Sequence, residues 1–452
     1  MLVDDEAYYA MYARHLSWGY IDHGPVVGFL IWVSTIMGEN DFTVRISALF
    51  LMTLLSMIIY VLGKNNFSHQ SAIILSLCLS ANLLFHVNSI IITPDAPMAF
   101  FSILAIFFYY LAYFKNQNFL YLGGIMLGMA LLSKISALFP AIGIALSPLL
   151  IKEKRHILKN MHFYASFLIA FMIFAPFILW NLENDMAFFR YQGNHISRGG
   201  SINDFFEHWL GLGLLAGPLF FYFSVIRPIL NIREWNTISS DMKYFTMVTI
   251  IPLTYFLIHS FFTRLELNWA APVFYGGLFL LGLRNYETKK ERRWLKLQIG
   301  YSLLLIILIM VQSFHPIIPA KGKSDPTNRH YMYQSLIENT RLLLKENPEL
   351  NNYRIVSNKF QIPSIINFYL NPKLESICLS IGYHETLFSF IYDDSEFIGD
   401  DFIYIHHKTQ FPDKLKPFFE SFELLTIATQ FRNKAKVSNH TIWLVKNYTG
   451  KV

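Results

Sequence analysis

Ten apolar segments dominate the first two thirds of this chain, at residues 42–62, 70–92, 97–114, 120–133, 135–150, 161–182, 207–229, 244–261, 269–283 and 297–314. Several approach the ~20 residues that a helix needs to cross the hydrocarbon of a bilayer. No water is available there to satisfy backbone N–H and C=O groups, so such segments must fold as helices. The pair at 120–133 and 135–150 is short and reads as two short or tilted helices, with one long broken helix as the alternative. Composition agrees: the chain is 54% hydrophobic and 15% charged, with a mean hydropathy of +0.36. A soluble domain carries roughly a quarter of charged residues, so a water-soluble enzyme is excluded. The reading is a polytopic α-helical membrane protein of about ten spans.

The few charges that interrupt this pattern lie where the spans turn around. Basic clusters occur at Lys152, Lys154, Arg155 and Lys159, and again at Arg284, Lys289, Lys290, Arg292, Arg293 and Lys296. Placing both on the cytoplasmic side obeys the positive-inside rule. The net charge of +6 is then topogenic and no sign of nucleic acid. Alternation puts 1–41, 93–96, 134, 183–206, 262–268 and everything beyond 315 on the outer side. Asp5, Glu6, Asp95, Lys134, Arg264 and Glu266 therefore share one face of the membrane. The two cysteines, Cys78 and Cys378, suggest neither a disulfide framework nor a metal site. No cleavable signal peptide opens the chain.

Three regions follow. Residues 1–41 form a first outer loop in which 25–38 reads as a helix lying in the interface. Residues 42–314 form the membrane module. Pro316, Pro319, Gly322 and Pro326 mark a boundary, and 315–452 reads as an outer soluble α/β domain. Within it Tyr331 to Lys345 is helix-like, and Tyr353 to Ser357 and Asp401 to His406 are strand-like.

Each outward polar group carries two readings. Asp4, Asp5 and Glu6 either start a helix, whose exposed N–H groups favour acids, or bring carboxylates to a site. Asp22 and His23, before Gly24-Pro25, are turn chemistry or a polar patch. Asp95, within Thr93-Pro94-Asp95-Ala96-Pro97, is a helix cap or a carboxylate held by a rigid turn. Lys134 sits in otherwise apolar surroundings, so it snorkels, finds a partner or binds a phosphate anion. Arg264, Glu266 and Asn268 occupy a further outer loop. The 183–206 loop adds Glu183, Asp185, Arg190, Gln192, His195 and Arg198, with Gly199-Gly200 as a mobile strap for a lid.

One chemistry suits carboxylates and cations at a lipid–water boundary. A sugar carried on a lipid phosphate loses that phosphate while a carboxylate deprotonates an acceptor hydroxyl. Lys or Arg neutralises the departing phosphate. The chain has no glycine loop of a nucleotide-binding type, which fits a lipid-borne donor.

The motifs have a family likeness. Asp5-Glu6-Ala7-Tyr8-Tyr9 and Gly19-Tyr20-Ile21-Asp22-His23-Gly24-Pro25 resemble the first outer loop of the GT-C integral-membrane glycosyltransferases. The match is with the dolichyl-phosphate-mannose protein mannosyltransferase-like and aminoarabinose transferase-like group. Thr93 to Pro97, Leu132-Ser133-Lys134, Glu266 to Pro272 and Asp325-Pro326-Thr327-Asn328-Arg329 look like further blocks of that group, in the same order. The resemblance implies a GT-C membrane module with a C-terminal soluble α/β domain. It also implies an inverting transfer from a polyprenyl-phosphate-linked sugar to a hydroxyl or phosphate of an envelope lipid or glycan, at the periplasmic face of a bacterial inner membrane. Asp5 becomes the catalytic base, with Asp95 and Glu6 as further acidic catalytic residues. Lys134, His23, Tyr9, Arg264, Glu266, Asn268, Asp325 and Arg329 become substrate-binding residues. Some GT-C relatives use a divalent cation and others do not, so no metal or other cofactor is assigned. The partners expected are donor, acceptor and membrane lipids, with no nucleic acid. Lipopolysaccharide modification is the expected setting. The family has a span before its first-loop motif, whereas this chain begins almost at Asp5. A lipid-linked sugar flippase, another polytopic transporter and a protein O-glycosyltransferase are the competing readings.

Overall fold

The computed structural model describes residues 1–196, 199–284, 286–318, 322–382 and 384–450, with the backbone alone at His195, Ile196 and Lys323. Pro319 and Arg198, singled out from the sequence, fall outside these residues, as does the His195 side chain. In chain order the helices are α1 (Asp4–Arg14), α2 (Val26–Thr35), α3 (Asp41–Asn66), α4 (His69–Ala81), α5 (Leu83–Ile90), α6 (Asp95–Phe114), α7 (Phe119–Ser133), α8 (Leu138–Leu150) and α9 (Met161–Glu183). They continue as α10 (Ala187–Ile196), α11 (Ile202–Ala216), α12 (Pro218–Phe221), α13 (Arg227–Arg233), α14 (Ser240–His259), α15 (Ala271–Gly282), α16 (Lys289–Phe314), α17 (Gln334–Glu346) and α18 (Gln361–Leu370). The strands are β1 (Arg354–Ser357), β2 (Ile377–Cys378), β3 (Phe402–His406), β4 (Phe419–Arg432) and β5 (Ala435–Tyr448).

All ten apolar segments fall on helices. By length and apolarity, four helices among the described residues suffice to cross a membrane: α3, α6, α9 and α16. The number rises to seven if each bent pair counts as one span. The chain is a multi-pass, mostly helical membrane protein with a small sheet-bearing domain. Two segments read as single apolar runs from the sequence are bent: α4 and α5 meet at 58°, and α11 and α12–α13 at 120°. The second break has a local cause. Gly217 has φ +80, a conformation open to glycine, and Pro218 follows it without an N–H to donate. Gln298 repairs the damage from α16. Its Oε1 accepts from the Leu219 N–H at 3.0 Å, and its Nε2 donates to the Ala216 carbonyl at 2.8 Å. A broken helix in apolar surroundings requires such a substitute.

The chain divides into two compact units. The helical unit comprises Ser17–Leu30 and Arg45–Ile307. Its most enclosed long helix is α6, with an aromatic core in which Phe245 stacks on Phe279 at 4.7 Å and on Tyr110 at 5.1 Å. Such offset pairs add to the value of plain burial. Lys134 interrupts the path from α7 to α8 with extended backbone, φ −157 and ψ 132. The segments at 120–133 and 135–150 are therefore two helical pieces.

The second unit comprises Met1–Leu16, Ile31–Val44 and Leu308–Val452. Its sheet has the order β2-β1-β3-β5-β4. β1 pairs in parallel with β2 and β3, whereas β5 pairs antiparallel with β3 and β4. Every residue of β3 is buried, as a central strand covered on both faces requires. Asn433 and Lys434, both at positive φ, close the β4–β5 hairpin as a two-residue turn of that twist requires. The first-loop helix α1 belongs to this unit and packs on α18. Almost all of α1 is buried, so the stretch read as amphipathic is enclosed.

Candidate functional site: two sets of paired charges

In the helical unit, three of the ordered motifs meet at helix ends. Asp95 opens α6, Lys134 follows the last residue of α7, and Asn268 lies in the 3₁₀ turn Leu267–Ala270 ahead of α15. Lys134 Nζ donates to Asp95 Oδ1 at 2.8 Å, and Asn268 Nδ2 donates to Asp95 Oδ2 at 2.8 Å. Asp95 and Lys134 are both buried. Snorkelling is thus not the state of Lys134: it has found a partner. An extended residue at the end of α7 turns its side chain out of the helical path, and the N-terminus of α6 adds a favourable dipole for the Asp95 carboxylate. The set is closed, with each carboxylate oxygen taking one donor.

The His23-Gly24 turn of the first-loop motif lies against the same helix end. A Cβ at Gly24 would come within 1.8 Å of the Leu132 carbonyl oxygen, so only glycine fits there. Gln192 Nε2 donates to the Asp22 carbonyl at 3.3 Å. The strap at Gly199-Gly200 is tied down, because the Gly200 N–H donates to the Phe262 carbonyl at 2.8 Å. Arg264 and Glu266 are exposed. Arg264 faces Asp204 at 3.7 Å with 74% of its side chain in solvent, a pairing of little energetic weight.

In the sheet-bearing unit the opening acids of α1 meet the last residue type of the Asp325-to-Arg329 motif. Arg329 Nε donates to Asp4 Oδ1 at 3.0 Å, and its Nη2 donates to Asp4 Oδ1 and, at 2.7 Å, to Asp5 Oδ2. Tyr333 OH donates to Asp4 Oδ2 at 3.4 Å. The two acids differ in access: the Asp4 side chain is 4% exposed and that of Asp5 37%. Burial opposes the charge on Arg329, but the Asp5 and Asp4 carboxylates outweigh it and raise its pKa. Burial pushes the Tyr333 phenol well above its ordinary value, so it serves as a donor. Glu6 is fully buried, and its Oε2 accepts from the Val3 N–H at 3.0 Å. That bond satisfies a donor at the start of α1. Tyr9 is buried in an aromatic cluster with Tyr8 and Tyr12.

A residue the sequence did not single out organises this motif. Arg432, at the end of β4, has a guanidinium 4.2 Å from the Tyr331 ring centroid. Its Nη1 donates to Thr327 Oγ1 at 2.8 Å and Asn328 Oδ1 at 2.9 Å, and its Nη2 donates to the carbonyls of Gln312 and Ser313. Asp325 accepts from the Thr327 N–H and Oγ1 and from Gln312 Nε2. Burial alone would raise the Asp325 pKa, but those bonds and the Arg432 charge bring it below its ordinary value. Asp325 and Arg432 therefore hold the backbone that presents Arg329. Among the described residues no group of three or more His, Cys, Asp or Glu could hold a metal ion.

Residues 22–180 match the family model described as dolichyl-phosphate-mannose-protein mannosyltransferase. No curated protein sequence matches the chain. Among solved structures, ArnT from Cupriavidus metallidurans bound to undecaprenyl phosphate is similar at 15% identity and a TM-score of 0.62, covering 98% of this chain and 94% of that one. Its apo form gives a TM-score of 0.61 at the same identity and coverage. The archaeal oligosaccharyltransferase AglB from Archaeoglobus fulgidus, in complex with an inhibitory peptide and a dolichol-phosphate, is similar at 12% identity and a TM-score of 0.53. That likeness covers 83% of this chain and 60% of the other. These likenesses bear out the GT-C resemblance carried by the ordered motifs, and the chain has the GT-C fold.

Proposed function

We propose that this chain, built on the GT-C glycosyltransferase fold, is an inverting glycosyltransferase that uses a polyprenyl-phosphate-linked sugar. The acceptor is a hydroxyl or phosphate of an envelope lipid or glycan, and transfer takes place at the periplasmic face of a bacterial inner membrane. The observation that carries the reading is that the motifs bearing the family likeness close into two sets of paired charges. In the proposed step the acceptor oxygen attacks the anomeric carbon as the bond to the lipid phosphate breaks. The acceptor proton passes to Asp5, the more accessible of the two acids bound by Arg329. Asp4, buried and doubly bonded by Arg329, holds that cation in place. Lys134, whose ammonium retains two further N–H groups beyond its bond to Asp95, is the helical unit's own candidate for binding a lipid phosphate.

Mass spectrometry of envelope lipids and glycans tests the reading. Cells lacking the gene are compared with cells re-expressing it intact or as Asp5→Asn. The intact protein should restore a sugar-sized mass increment. Asp5→Asn, present in the membrane at normal level, should lower transfer roughly 10²–10⁴-fold, as loss of a general base does. A normal increment in the Asp5→Asn cells would sink the base assignment. Adding a chelator to a membrane assay decides whether a divalent cation takes part.

A further inference from the structure

The sheet-bearing unit has a second polar feature, apart from the acids of α1. An open cleft of about 420 Å³ lies between α17, the end of α18 and the loop that follows it. Arg341 and Lys345 line it from α17, four residues apart and so on one helix face. Lys373 lines it from the loop after α18. Asn371 ends α18 in the left-handed region, at φ 44, and also faces the cleft. No carboxylate is among the lining residues, although this domain as a whole has nearly balanced charge. The three cations are exposed, and among the described residues none of them makes an ion pair or side-chain hydrogen bond.

The walls are fixed without help from a ligand. Asn351 Nδ2 donates to the Leu344 and Pro348 carbonyls, and Tyr369 OH donates to Asp41 Oδ1 at 2.6 Å. Leu344, Leu370 and Pro372 line the same cleft and give it apolar surface. Like charges brought to one cleft repel each other, and an anion relieves that repulsion. The volume falls within the range of small-molecule sites and far exceeds one phosphate ion. Cations and apolar side chains lining one cleft match a sugar ring that carries acidic groups.

We propose that this cleft binds an anionic saccharide, one bearing phosphate or carboxylate, either free or as the head of a lipid. The inference needs no transfer chemistry, so it stands or falls apart from the proposed reaction. The full chain in nanodiscs of phosphatidylcholine is titrated calorimetrically with glucose 6-phosphate, glucuronate, glucose and inorganic phosphate. Saturable binding is expected in the order glucose 6-phosphate, then glucuronate, with none for glucose. Arg341→Gln and Lys345→Gln should each weaken it about tenfold, the usual worth of one bond to a charged group. Nanodiscs doped with glucuronosyl-diacylglycerol separate the sources: competition indicates a lipid-borne head, and unchanged affinity a soluble saccharide. No saturable binding overturns the proposal, as does binding that survives the Arg341→Gln, Lys345→Gln and Lys373→Gln triple variant. Equal affinity for inorganic phosphate overturns its saccharide part. All three substituted residues are exposed, and native thermal unfolding of the variants verifies that the fold persists.

Discussion

In the helical unit one carboxylate, Asp95, meets one cation, Lys134, whereas in the sheet-bearing unit two carboxylates, Asp4 and Asp5, share Arg329. The first set is electrically neutral and buried. The second sets two carboxylates on one guanidinium, and of the two Asp5 is the more exposed. A neutral buried pair is bound to its own geometry, because stripping either partner leaves a charge stranded in apolar surroundings. Two carboxylates on one cation differ in access, and in the proposed reaction it is the more exposed one that takes the proton. The same residue types, at the starts of two helices, are thereby fitted to different tasks.

The largest effect should come from breaking the neutral pair. Lys134→Met strands the Asp95 carboxylate and should cost about 3–5 kcal/mol, read as a lower melting temperature of the detergent-solubilised chain. Adding Asp95→Asn should recover much of that loss. If the double variant is as unstable as the single one, the pair is not what Lys134 contributes.

Acid should act next, and on the sheet-bearing unit. Burial and the neighbouring His407 charge lower the His440 pKa to about 4, and burial followed by nearby cations lowers that of His406 to about 3. Well above pH 6.5 both imidazoles are neutral whether folded or unfolded, so these two contribute no pH dependence there. As pH falls from 6.5 the unfolded imidazole takes a proton that the folded one refuses, and folding weakens until about pH 4. His440 alone accounts for about 3 kcal/mol over that window. Hydrogen exchange of β3 and β5 should accelerate between pH 6.5 and 4, and His440→Gln should flatten the dependence.

The smallest effect sharpens the contrast in how the two cations work. Arg329→Lys keeps the charge but replaces a planar fork with a point donor, which cannot serve both Asp4 and Asp5 in the same geometry. A loss of about 1–2 kcal/mol is expected, measured by thermal unfolding. The corresponding Lys134→Arg change introduces bulk at a buried position, so the two exchanges should not be interchangeable.

Much of the fold was legible because apolar run length and helix formation are coupled in a bilayer. Every apolar run became helix, and the strand-like stretches before Ser357 and His406 became β1 and β3. The break at Gly217-Pro218 was readable in principle, since both residues punctuate helices, yet the apolar run continues across it. The β4–β5 hairpin was missed: β4 is largely exposed along its first half, so no alternation of apolar and polar residues announces it. Asp95, Lys134 and Asn268 were legible as motifs, although the bonds that join them span 39 and 173 residues. Tyr333 and Arg432 were not, because no motif marks them and their roles depend on partners distant in sequence. Local pattern gives no hint that Arg432 bonds Thr327, 105 residues earlier.

The clamp of Arg329 on the α1 acids spans 325 residues of sequence, and this sets a clock. At the usual pace of synthesis, ~5–20 residues per second, Arg329 is joined to the chain roughly 15–65 s after Asp4. Throughout that interval α1 has neither the cation that neutralises its acids nor the α18 surface on which it packs. α1 is therefore among the last elements to reach its final state, and the ribosome's speed decides how long Asp4 and Asp5 wait for their cation.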